Sequence, residues 1–245
     1  MTTIADKTIL VTGGNRGIGR ALVEDALRRG AKRVYVGTRK PVANPDATPV
    51  PLDVTDPAQI QRAVADIGSL DILVNNAGIA LYDDLSDGAA LERHFEVNLF
   101  GMYRVTQAFL PLLSGSRGTV VNNLSVNALA PLPLIPAYSV SKAAAFSLTQ
   151  SLRTLLAEKG VTVHAVLTGI VDTDMTRGLD APKASPESVA RAIFDGVESG
   201  DEDIFPDAMS ASIGQGWRSG PAKALERQYA ALAAAERAKA QANSG

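Results

Sequence analysis

Short apolar runs alternate with longer stretches of helical periodicity along most of this chain. The runs are rich in valine, isoleucine and leucine and carry few polar positions, which is typical of strands covered on both faces. Six runs predict strands: Thr8–Thr12, Arg33–Gly37, Val50–Val54, Leu70–Asn75, Thr119–Leu124 and Val161–Leu167. Five stretches predict helices: Gly17–Arg29, Asp56–Ile67, Gly88–Ser114, Tyr138–Lys159 and Pro186–Ser199. This alternation predicts an α/β fold, in which helices cover both faces of one doubly wound parallel sheet of about seven strands.

The C-terminal part of the chain has a different composition. The sequence shows no internal repeat and no low-complexity linker, so we expect residues 1–245 to form a single domain. Between Ala222 and Ala242, however, 10 of the 21 residues are alanine. A narrow apolar stripe at helical spacing runs through this segment: Leu225, Tyr229 and Leu232. We interpret residues 221–245 as a C-terminal helix with a frayed tip that docks on the body through the stripe, and a partner-binding arm is the alternative.

Several single features have ordinary structural interpretations. The charge-rich run Glu198–Asp203 predicts a solvated turn, and Trp217 predicts a packing anchor for the tail. His164 lies within an apolar run and predicts packing inside the sheet. Neither His164 nor His94 has a cluster of acids around it in the sequence, so we expect no metal site.

Composition and charge exclude several classes of function. The chain has 24 basic and 26 acidic residues and a formal charge of −2, so it lacks the concentrated basic surface that binds nucleic acid. It has no cysteine, which excludes disulfides, thiolate metal sites and a catalytic thiol. No apolar stretch is long enough to span a membrane, and the first residues do not resemble a secretory signal. We therefore expect a cytoplasmic protein with no nucleic-acid or membrane partner.

A glycine-rich turn, TGGNRGIG, joins the first predicted strand to the first predicted helix. Glycine allows positive φ and a close approach of phosphate to the main chain, and the free N–H groups of the following helix would face a pyrophosphate. The spacing is TGxxxGxG and differs from the GxGxxG of the commonest dinucleotide turn. Its place in the first strand–helix unit favours a nucleotide-binding turn over a glycine-rich turn without a ligand.

Further along the chain, four polar residues suggest a catalytic group: Asn98, Ser125, Tyr138 and Lys142. Tyr138 and Lys142 are four residues apart on a predicted helix, so they project from one face. The ordinary pKa of a tyrosine phenol is about 10, and a lysine ammonium one turn away would lower it. The pair could then exchange a proton with a carbonyl or alcohol oxygen, which the Ser125 hydroxyl could hold. Such a tyrosine–lysine pair is common on ordinary helices, but Ser125 and Asn98 in register make coincidence a poor explanation.

The sequence resembles the short-chain dehydrogenase/reductase family in five features: TGGNRGIG, the run Asn75-Asn76-Ala77-Gly78, the pair Val97-Asn98, Ser125 and the YxxxK motif. The resemblance covers residues 7–176 and is to the compact, single-domain NADP-dependent carbonyl reductases. It implies a Rossmann-like sheet with strand order 3-2-1-4-5-6-7. It also implies that Tyr138 is the general acid/base, that Lys142 lowers its pKa and holds the nicotinamide ribose, and that Ser125 positions the substrate carbonyl. Asn98 would hold open a water-linked proton path to Lys142.

The same resemblance implies which residues bind the cofactor. They lie in the glycine turn, at the ends of predicted strands and on the catalytic helix: Gly13, Asn15, Arg16, Gly17, Ile18, Gly19, Thr38, Arg39, Asp53, Val54, Asn75, Ala77, Gly78, Tyr138, Lys142, Gly169, Val171 and Thr173. Asp53 and Val54 match the adenine position of the family. Asn75 would also steady the central sheet.

The end of the second predicted strand bears on the choice of cofactor. In NAD-binding versions of this fold an acid there bonds the ribose 2′-hydroxyl, but Lys32–Lys40 contains no acid. Thr38 occupies that place and Arg39 follows it. Arg16 lies in the glycine turn, so two guanidinium groups could meet a 2′-phosphate. We therefore expect NADP(H) as the cofactor.

These residues predict an NADPH-dependent reductase of a ketone or aldehyde, whose substrate is held by Ser125 and Tyr138. The uncharged segment Ala128–Pro136 favours an apolar substrate wall, although core packing explains it equally well. The segment Gly169–Ala184 favours a flexible lid. Two alternatives remain. One is an oxidising alcohol or hydroxysteroid dehydrogenase on the same site, and the other is a regulatory NADP(H)-binding protein without turnover.

Departures from the family pattern bear on one turn and on assembly. Thr168-Gly169 stands where the family has Pro-Gly, so we expect a looser turn. The alanine-rich end replaces a glycine-rich tail that builds tetramers in the family. Leu99–Leu113 is apolar almost all round, and the small residues Ala143–Ala145 would let a neighbouring helix approach closely. The two helices predict a homodimer or homotetramer, and the replaced tail counts against the tetramer.

Overall fold

The computed structural model describes residues 2–40 and 46–242, and a parallel sheet lies at its centre. The strands are β1 (Thr8–Thr12), β2 (Arg33–Thr38), β3 (Thr48–Pro51), β4 (Ile72–Asn75), β5 (Thr119–Asn123), β6 (Thr162–Val166) and β7 (Asp203–Ile204). Their order is β3-β2-β1-β4-β5-β6-β7, which confirms the sequence prediction. Because every neighbouring pair is parallel, the carboxyl ends of these strands lie at one edge of the sheet.

Helices cover both faces of the sheet. They are α1 (Gly17–Arg28), α2 (Pro57–Ile67), α3 (Gly88–His94), α4 (Met102–Ser116), α5 (Pro136–Leu156), α6 (Pro186–Ser199), α7 (Ala208–Arg218) and α8 (Pro221–Ala242). Side chains alternate along β1, so Ile9 and Val11 pack under α1 and α6 while Leu10 packs under α2, α4 and α5. None of the helices in the described ranges is both long and apolar enough to cross a membrane.

The long helical region predicted for Gly88–Ser114 consists of three segments. A π-helical segment, Phe95–Gly101, joins α3 to α4. A Cβ on Gly101 would lie 2.7 Å from Cγ2 of Val54, so glycine allows this segment to pack closely against the chain after β3. π-helical turns are rare and often lie at functional sites, and this one carries a predicted catalytic residue.

One strand prediction was wrong in detail, and one turn prediction was only partly right. β3 starts and ends earlier than Val50–Val54, because its pairing with β2 runs from Thr48 to Pro51. Within the run Glu198–Asp203, residues 200–202 form the predicted exposed turn, but Glu198 and Ser199 end α6, and Asp203 begins β7 and is buried. A buried carboxylate requires charged or hydrogen-bonding partners, and those of Asp203 come from distant parts of the chain. The sequence analysis also did not predict α7.

The tail helix α8 packs against α5 and α7, but not through the predicted apolar stripe. Leu225, Tyr229 and Leu232 are 44%, 62% and 60% exposed. The buried contact is made by Lys223, whose ammonium lies 2.7 Å from Oδ2 of Asp203. This long-range charge turns the lysine inward and the apolar stripe outward. The predicted frayed tip, residues 243–245, lies outside the described residues.

The remaining structural interpretations agree with the structure. Trp217 anchors the tail, because its indole N–H donates to Oδ2 of Asp203 over 2.8 Å and its ring packs on Phe146. His164 is buried in β6, in register with Val121 of β5.

Candidate active site

The glycine-rich turn connects β1 to α1 at the carboxyl edge of the sheet. Gly13 and Gly17 have φ angles of +64° and +52°, which a side chain would strain. A Cβ on Gly19 would overlap the carbonyl oxygen of Gly13 and lie 2.5 Å from Nδ2 of Asn76. Arg16, at the N-cap of α1, provides no side-chain cap. The first N–H groups of α1 are therefore left for an anion, and the turn fits a pyrophosphate.

Three side chains to which the sequence analysis gave no role hold this turn: Thr12, Asn76 and Asn123. Oγ1 of Thr12 accepts the N–H groups of Asn76 and Ala77 over 2.9 and 3.1 Å. Nδ2 of Asn76 donates to the carbonyl oxygens of Thr12 and Gly13, and Nδ2 of Asn123 donates to Oδ1 of Asn76 over 2.9 Å. Asn76 could have been identified from the sequence, because it is the second of two asparagines at the end of a buried strand. An amide side chain at such a position needs hydrogen-bond partners.

Asn75 directs its side chain into the protein interior. Its Nδ2 donates to Oγ1 of Thr106 and to Oδ1 of Asn122, both over 2.9 Å. These bonds link β4 to α4 and β5, so the side chain serves the predicted role of steadying the sheet. Any contact with the cofactor would therefore be made by the main chain of Asn75 and Ala77.

Ser125, Tyr138 and Lys142 form a buried cluster, with exposures of 6%, 8% and 6%. The Ser125 hydroxyl lies close enough to that of Tyr138 to favour the phenolate form. The ammonium of Lys142 lies 5.6 Å from the centre of the Tyr138 ring and donates to the carbonyl oxygen of Asn123 over 2.9 Å. The Ser125 hydroxyl also accepts the N–H of Asn127, which fixes its orientation. This arrangement places two hydroxyl groups and one ammonium where a carbonyl oxygen could bind.

Burial controls the pKa values of this cluster, which differs from the sequence-based expectation. It raises the pKa of Tyr138 to about 12, and the nearby Ser125 hydroxyl only partly opposes this. Burial also lowers the pKa of Lys142 to about 8. A buried environment disfavours the charged forms of both groups, and desolvation is the largest cause of both shifts. The predicted lowering of the tyrosine pKa is therefore wrong for the chain by itself, and the phenol of Tyr138 keeps its proton at neutral pH.

Asn98 lies in the π-helical segment and binds the loop that follows β4. Its Oδ1 accepts the N–H of Ile79, and its Nδ2 donates to the carbonyl oxygen of Ile79 and to Oγ of Ser141, each over 2.9 Å. A Cβ on Gly78 would lie 3.2 Å from Oδ1 of Asn98 and 3.8 Å from Nζ of Lys142. Asn98 thus holds this loop beside Lys142, and its part in a water-linked proton path stays a prediction.

The predicted adenosine residues follow β2 and β3. Thr38 is buried, and its hydroxyl bonds the main chain of Lys40. Oδ1 of Asp53 accepts the N–H and the hydroxyl of Thr55 over 2.9 and 2.7 Å, which leaves its other oxygen at the strand end. Val54 is buried beside it. These positions are compatible with an adenine site.

The two predicted phosphate-binding arginines are both exposed. Arg39 follows β2, and Arg16 precedes α1 next to the exposed Asn15. Nη1 of Arg16 lies 3.4 Å from Oδ2 of Asp174. Ile18, in the first turn of α1, points inward and packs against the core that this helix covers. The convergence of both guanidinium groups on one phosphate stays a prediction.

The turn after β6 is held at both of its residues, so the contacts do not agree with the expected loosening. The hydroxyl of Thr168 donates to the carbonyl oxygen of Leu124 over 3.0 Å, and the N–H of Val126 donates to the carbonyl oxygen of Thr168. The N–H of Gly169 donates to Oδ2 of Asp207 over 2.7 Å. Asp207, which the sequence analysis missed, also caps α7. The start of the C-terminal helices is therefore tied to this turn.

The predicted lid, Gly169–Ala184, has a fixed base. Val171 is buried and forms a β-bridge with Ala184. Thr173 packs toward the glycine turn, since its Cγ2 would lie 3.1 Å from a Cβ on Gly17. A cavity of about 460 Å³ opens between the turn and this segment. Thr173 is therefore placed beside the predicted pyrophosphate site, and movement of the lid stays a prediction.

Large apolar side chains are exposed on two loops next to the catalytic helix: Leu81, Tyr82, Leu132 and Leu134. The N–H of Leu132 donates to Oγ of Ser139 over 3.1 Å, directly after Tyr138 in the chain. The exposure of Leu132 and Leu134 does not agree with core packing of this segment, and the apolar substrate wall stays a prediction.

Comparison with known proteins defines the class of this protein. The chain matches the family model for short chain dehydrogenases over residues 7–184. It is 37% identical over 202 residues to a sorbitol dehydrogenase of Cereibacter sphaeroides, which covers 76% of this chain and 78% of that protein. It is 35% identical over 208 residues to 2-(S)-hydroxypropyl-CoM dehydrogenase 3 of Xanthobacter autotrophicus, with coverage of 78% and 82%. The crystal structure of a short-chain dehydrogenase from Burkholderia cenocepacia in complex with NADP has a TM-score of 0.85 and 34% identity, and the match covers 93% of this chain and 98% of that chain.

The protein is therefore an oxidoreductase with a Rossmann-like fold. It belongs to the short-chain dehydrogenase/reductase family, whose members use NAD(H) or NADP(H).

Proposed function

We propose that this protein reduces a ketone or aldehyde to an alcohol with NADPH, and that Tyr138 is the proton donor. The observation that carries the proposal is the buried cluster of Ser125, Tyr138 and Lys142, in which the ammonium lies 5.6 Å from the centre of the Tyr138 ring. Because burial raises the pKa of Tyr138 to about 12, the phenol holds its proton at neutral pH. A group that holds its proton is suited to donate it to the alkoxide that forms in a reduction.

Each residue of the cluster has a separate part in this reaction. Bound NADPH would supply a hydride, with its two electrons, to the carbonyl carbon. The electron pair of the C=O π bond moves to the oxygen, and the Tyr138 hydroxyl gives its proton to that oxygen. The Ser125 hydroxyl donates a hydrogen bond to the same oxygen. Lys142 stabilises the phenolate that remains, and its other ammonium protons can bind the ribose hydroxyls.

We assign NADP(H) as the cofactor, with Arg39 and Arg16 binding the 2′-phosphate. Thr38 stands at the end of β2 where an acid would repel this phosphate. The Burkholderia relative is described in complex with NADP, which supports the assignment. The ion pair of Arg16 with Asp174 does not prevent it, because the two side chains are 67% and 48% exposed and such a pair contributes only about 0–1 kcal/mol.

Oxidation of an alcohol by the same residues is the second candidate. The names of two relatives, sorbitol dehydrogenase and 2-(S)-hydroxypropyl-CoM dehydrogenase 3, favour it. In that direction Tyr138 must accept a proton as phenolate, which its raised pKa opposes. A regulatory protein without turnover is the third candidate, but it would not need both Tyr138 and Lys142.

A screen of ketones, aldehydes and alcohols with NADPH or NADP, followed by nicotinamide absorbance, tests the proposal. We expect NADPH consumption with carbonyl compounds that have an apolar flank. Tyr138→Phe should abolish turnover and leave NADPH affinity nearly unchanged, because the ring remains and only the hydroxyl is lost. Tyr35→Phe, a buried tyrosine of β2, is the matched control and should retain activity.

Three outcomes would contradict the proposal. Near-normal turnover by Tyr138→Phe would refute the assigned proton donor. Turnover of alcohols with NADP alone would favour the oxidative candidate. Binding of NADPH without turnover of any compound would favour the regulatory candidate.

A further inference from the structure

We propose that His94 is a positioning residue that holds the substrate-side loop, residues 79–87, against the catalytic helix. The kinetic part of this inference rests on the proposed function, and the structural part does not. His94 is the last residue of α3 and is completely buried. Neither the family match nor the sequence motifs assign it a role.

Both ring nitrogens of His94 have fixed partners. Nδ1 lies 2.7 Å from the carbonyl oxygen of Ala90, which can only accept, so Nδ1 carries the proton. Nε2 is then an acceptor, and it receives the N–H of Leu81 over 3.1 Å. The side chain thus connects α3 to the main chain of the substrate-side loop.

The same ring contacts the catalytic tyrosine. The ring centres of His94 and Tyr138 are 6.4 Å apart, and their planes meet at 72°, so one ring presents its edge to the other. Edge-to-face contacts of this kind fix the orientation of both rings. His94 therefore lies between the loop and the group that donates the proton.

Two further contacts hold the loop on either side of this point. Ile79 exchanges two hydrogen bonds with Asn98, each 2.9 Å long. The carboxylate of Asp83 accepts the N–H of Ala137, one residue before Tyr138, over 3.3 Å. His94 holds the middle of this short stretch, where Leu81 and Tyr82 are 41% and 77% exposed.

Loss of the Nε2 acceptor should move the loop and leave the fold intact. A buried N–H without a partner destabilises the arrangement that buries it. The loop can avoid this cost by turning the Leu81 N–H toward water, because its neighbouring side chains are already exposed. The wall that Leu81 and Tyr82 offer to the substrate would then lose its position, while the glycine turn that binds the cofactor would not change.

Three variants distinguish the role of the Nε2 acceptor of His94 from the role of its ring. His94→Phe keeps a ring beside Tyr138 but removes the acceptor, whereas His94→Gln keeps an acceptor oxygen within reach of Leu81. His164→Phe is the matched control, because His164 is the other buried histidine and its Nδ1 contacts the carbonyl oxygen of Asp201 in a different part of the sheet. For each variant, hydrogen exchange at the Leu81 amide, the Kd for NADPH, and KM and kcat for the best carbonyl substrate are measured.

We expect His94→Phe to accelerate exchange at Leu81 and to raise the substrate KM about tenfold, with the Kd for NADPH unchanged. His94→Gln should restore both values, and His164→Phe should alter neither. Wild-type exchange at Leu81 in His94→Phe, or equal damage in His94→Gln, would overturn the proposal. If His94→Phe does not fold, His94→Asn replaces it, because asparagine is too short to reach Leu81 and should produce the same changes.

The exchange measurement requires no substrate. An inactive wild-type protein would therefore refute the proposed reaction, and the behaviour of Leu81 would still decide the role of His94.

Discussion

Replacing Lys142 by methionine should abolish turnover and at the same time stabilise the folded protein at neutral pH. The ammonium is buried and donates to the carbonyl oxygen of Asn123. Burial lowers its pKa from 10.5 to about 8, and this difference corresponds to about 3 kcal/mol of destabilisation of the folded state. Methionine removes this cost but leaves the Asn123 oxygen without its donor, which costs about 1 kcal/mol. We expect a net gain of about 2 kcal/mol in the free energy of unfolding.

The gain in the free energy of unfolding depends on pH, because burial lowers the pKa of Lys142. Below about pH 8 the lysine is charged in both the folded and the unfolded chain, so the full cost is present. Between about pH 8 and 10.5 the folded chain loses the proton first, and the cost falls toward zero. The advantage of Lys142→Met should therefore be complete at pH 7 and much smaller at about pH 9.5. Urea unfolding without cofactor, followed by circular dichroism at both pH values, measures it.

Lys223→Met is a matched control, for which we expect the opposite change in the free energy of unfolding. Its ammonium lies 2.7 Å from Asp203 and 2.9 Å from both Glu202 and Glu226. Burial by itself lowers the lysine pKa, but the hydrogen bonds to Asp203 and Glu202 exceed this effect and raise it. Lys223→Met should lower the free energy of unfolding by about 3 kcal/mol, because the buried Asp203 loses a partner. If Lys142→Met is less stable than the wild type at pH 7, or if its advantage persists at the higher pH, the reasoning is wrong.

Other predictions concern the cofactor site, the tail and assembly. Arg39→Ala should raise the KM for NADPH about 10- to 150-fold and leave that for NADH unchanged, whereas Arg33→Ala, at the other end of β2, should alter neither; equal kcat/KM for the two cofactors in the wild type would contradict this. Asp207→Ala should raise the cofactor KM and lower the free energy of unfolding by about 1 kcal/mol, because the Gly169 N–H and the first turn of α7 lose their acceptor. An unchanged cofactor KM in Asp207→Ala would show that the bond from Gly169 to Asp207 does not affect cofactor binding. Light scattering should give at least twice the 25.6 kDa of one chain, because the large side chain of Tyr103 is 43% exposed on α4, and a mass of one chain would exclude the predicted homodimer or homotetramer.

The sequence by itself determined the elements whose limits are set by neighbouring residues. β1 and α6 begin and end at the predicted residues. α6 is bounded locally, because Ser185 caps its first turn and Gly200 adopts the left-handed conformation at its end. The tyrosine–lysine pair was also readable, since a spacing of four on a helix places two side chains on one face. Strand order followed from the alternation of strands and helices together with the family resemblance.

Only the tertiary structure decided which side chains lost contact with water and which distant groups they met. The buried face of α8 depends on Lys223 meeting Asp203, and the turn at Gly169 depends on Asp207, 38 residues further along the chain. Helical periodicity identifies apolar faces but cannot identify a polar face that a remote charge draws inward. The pKa of Tyr138 shows the same limit, because it is raised by desolvation, which depends on every element packed around the group and cannot be derived from the position of a lysine one turn away.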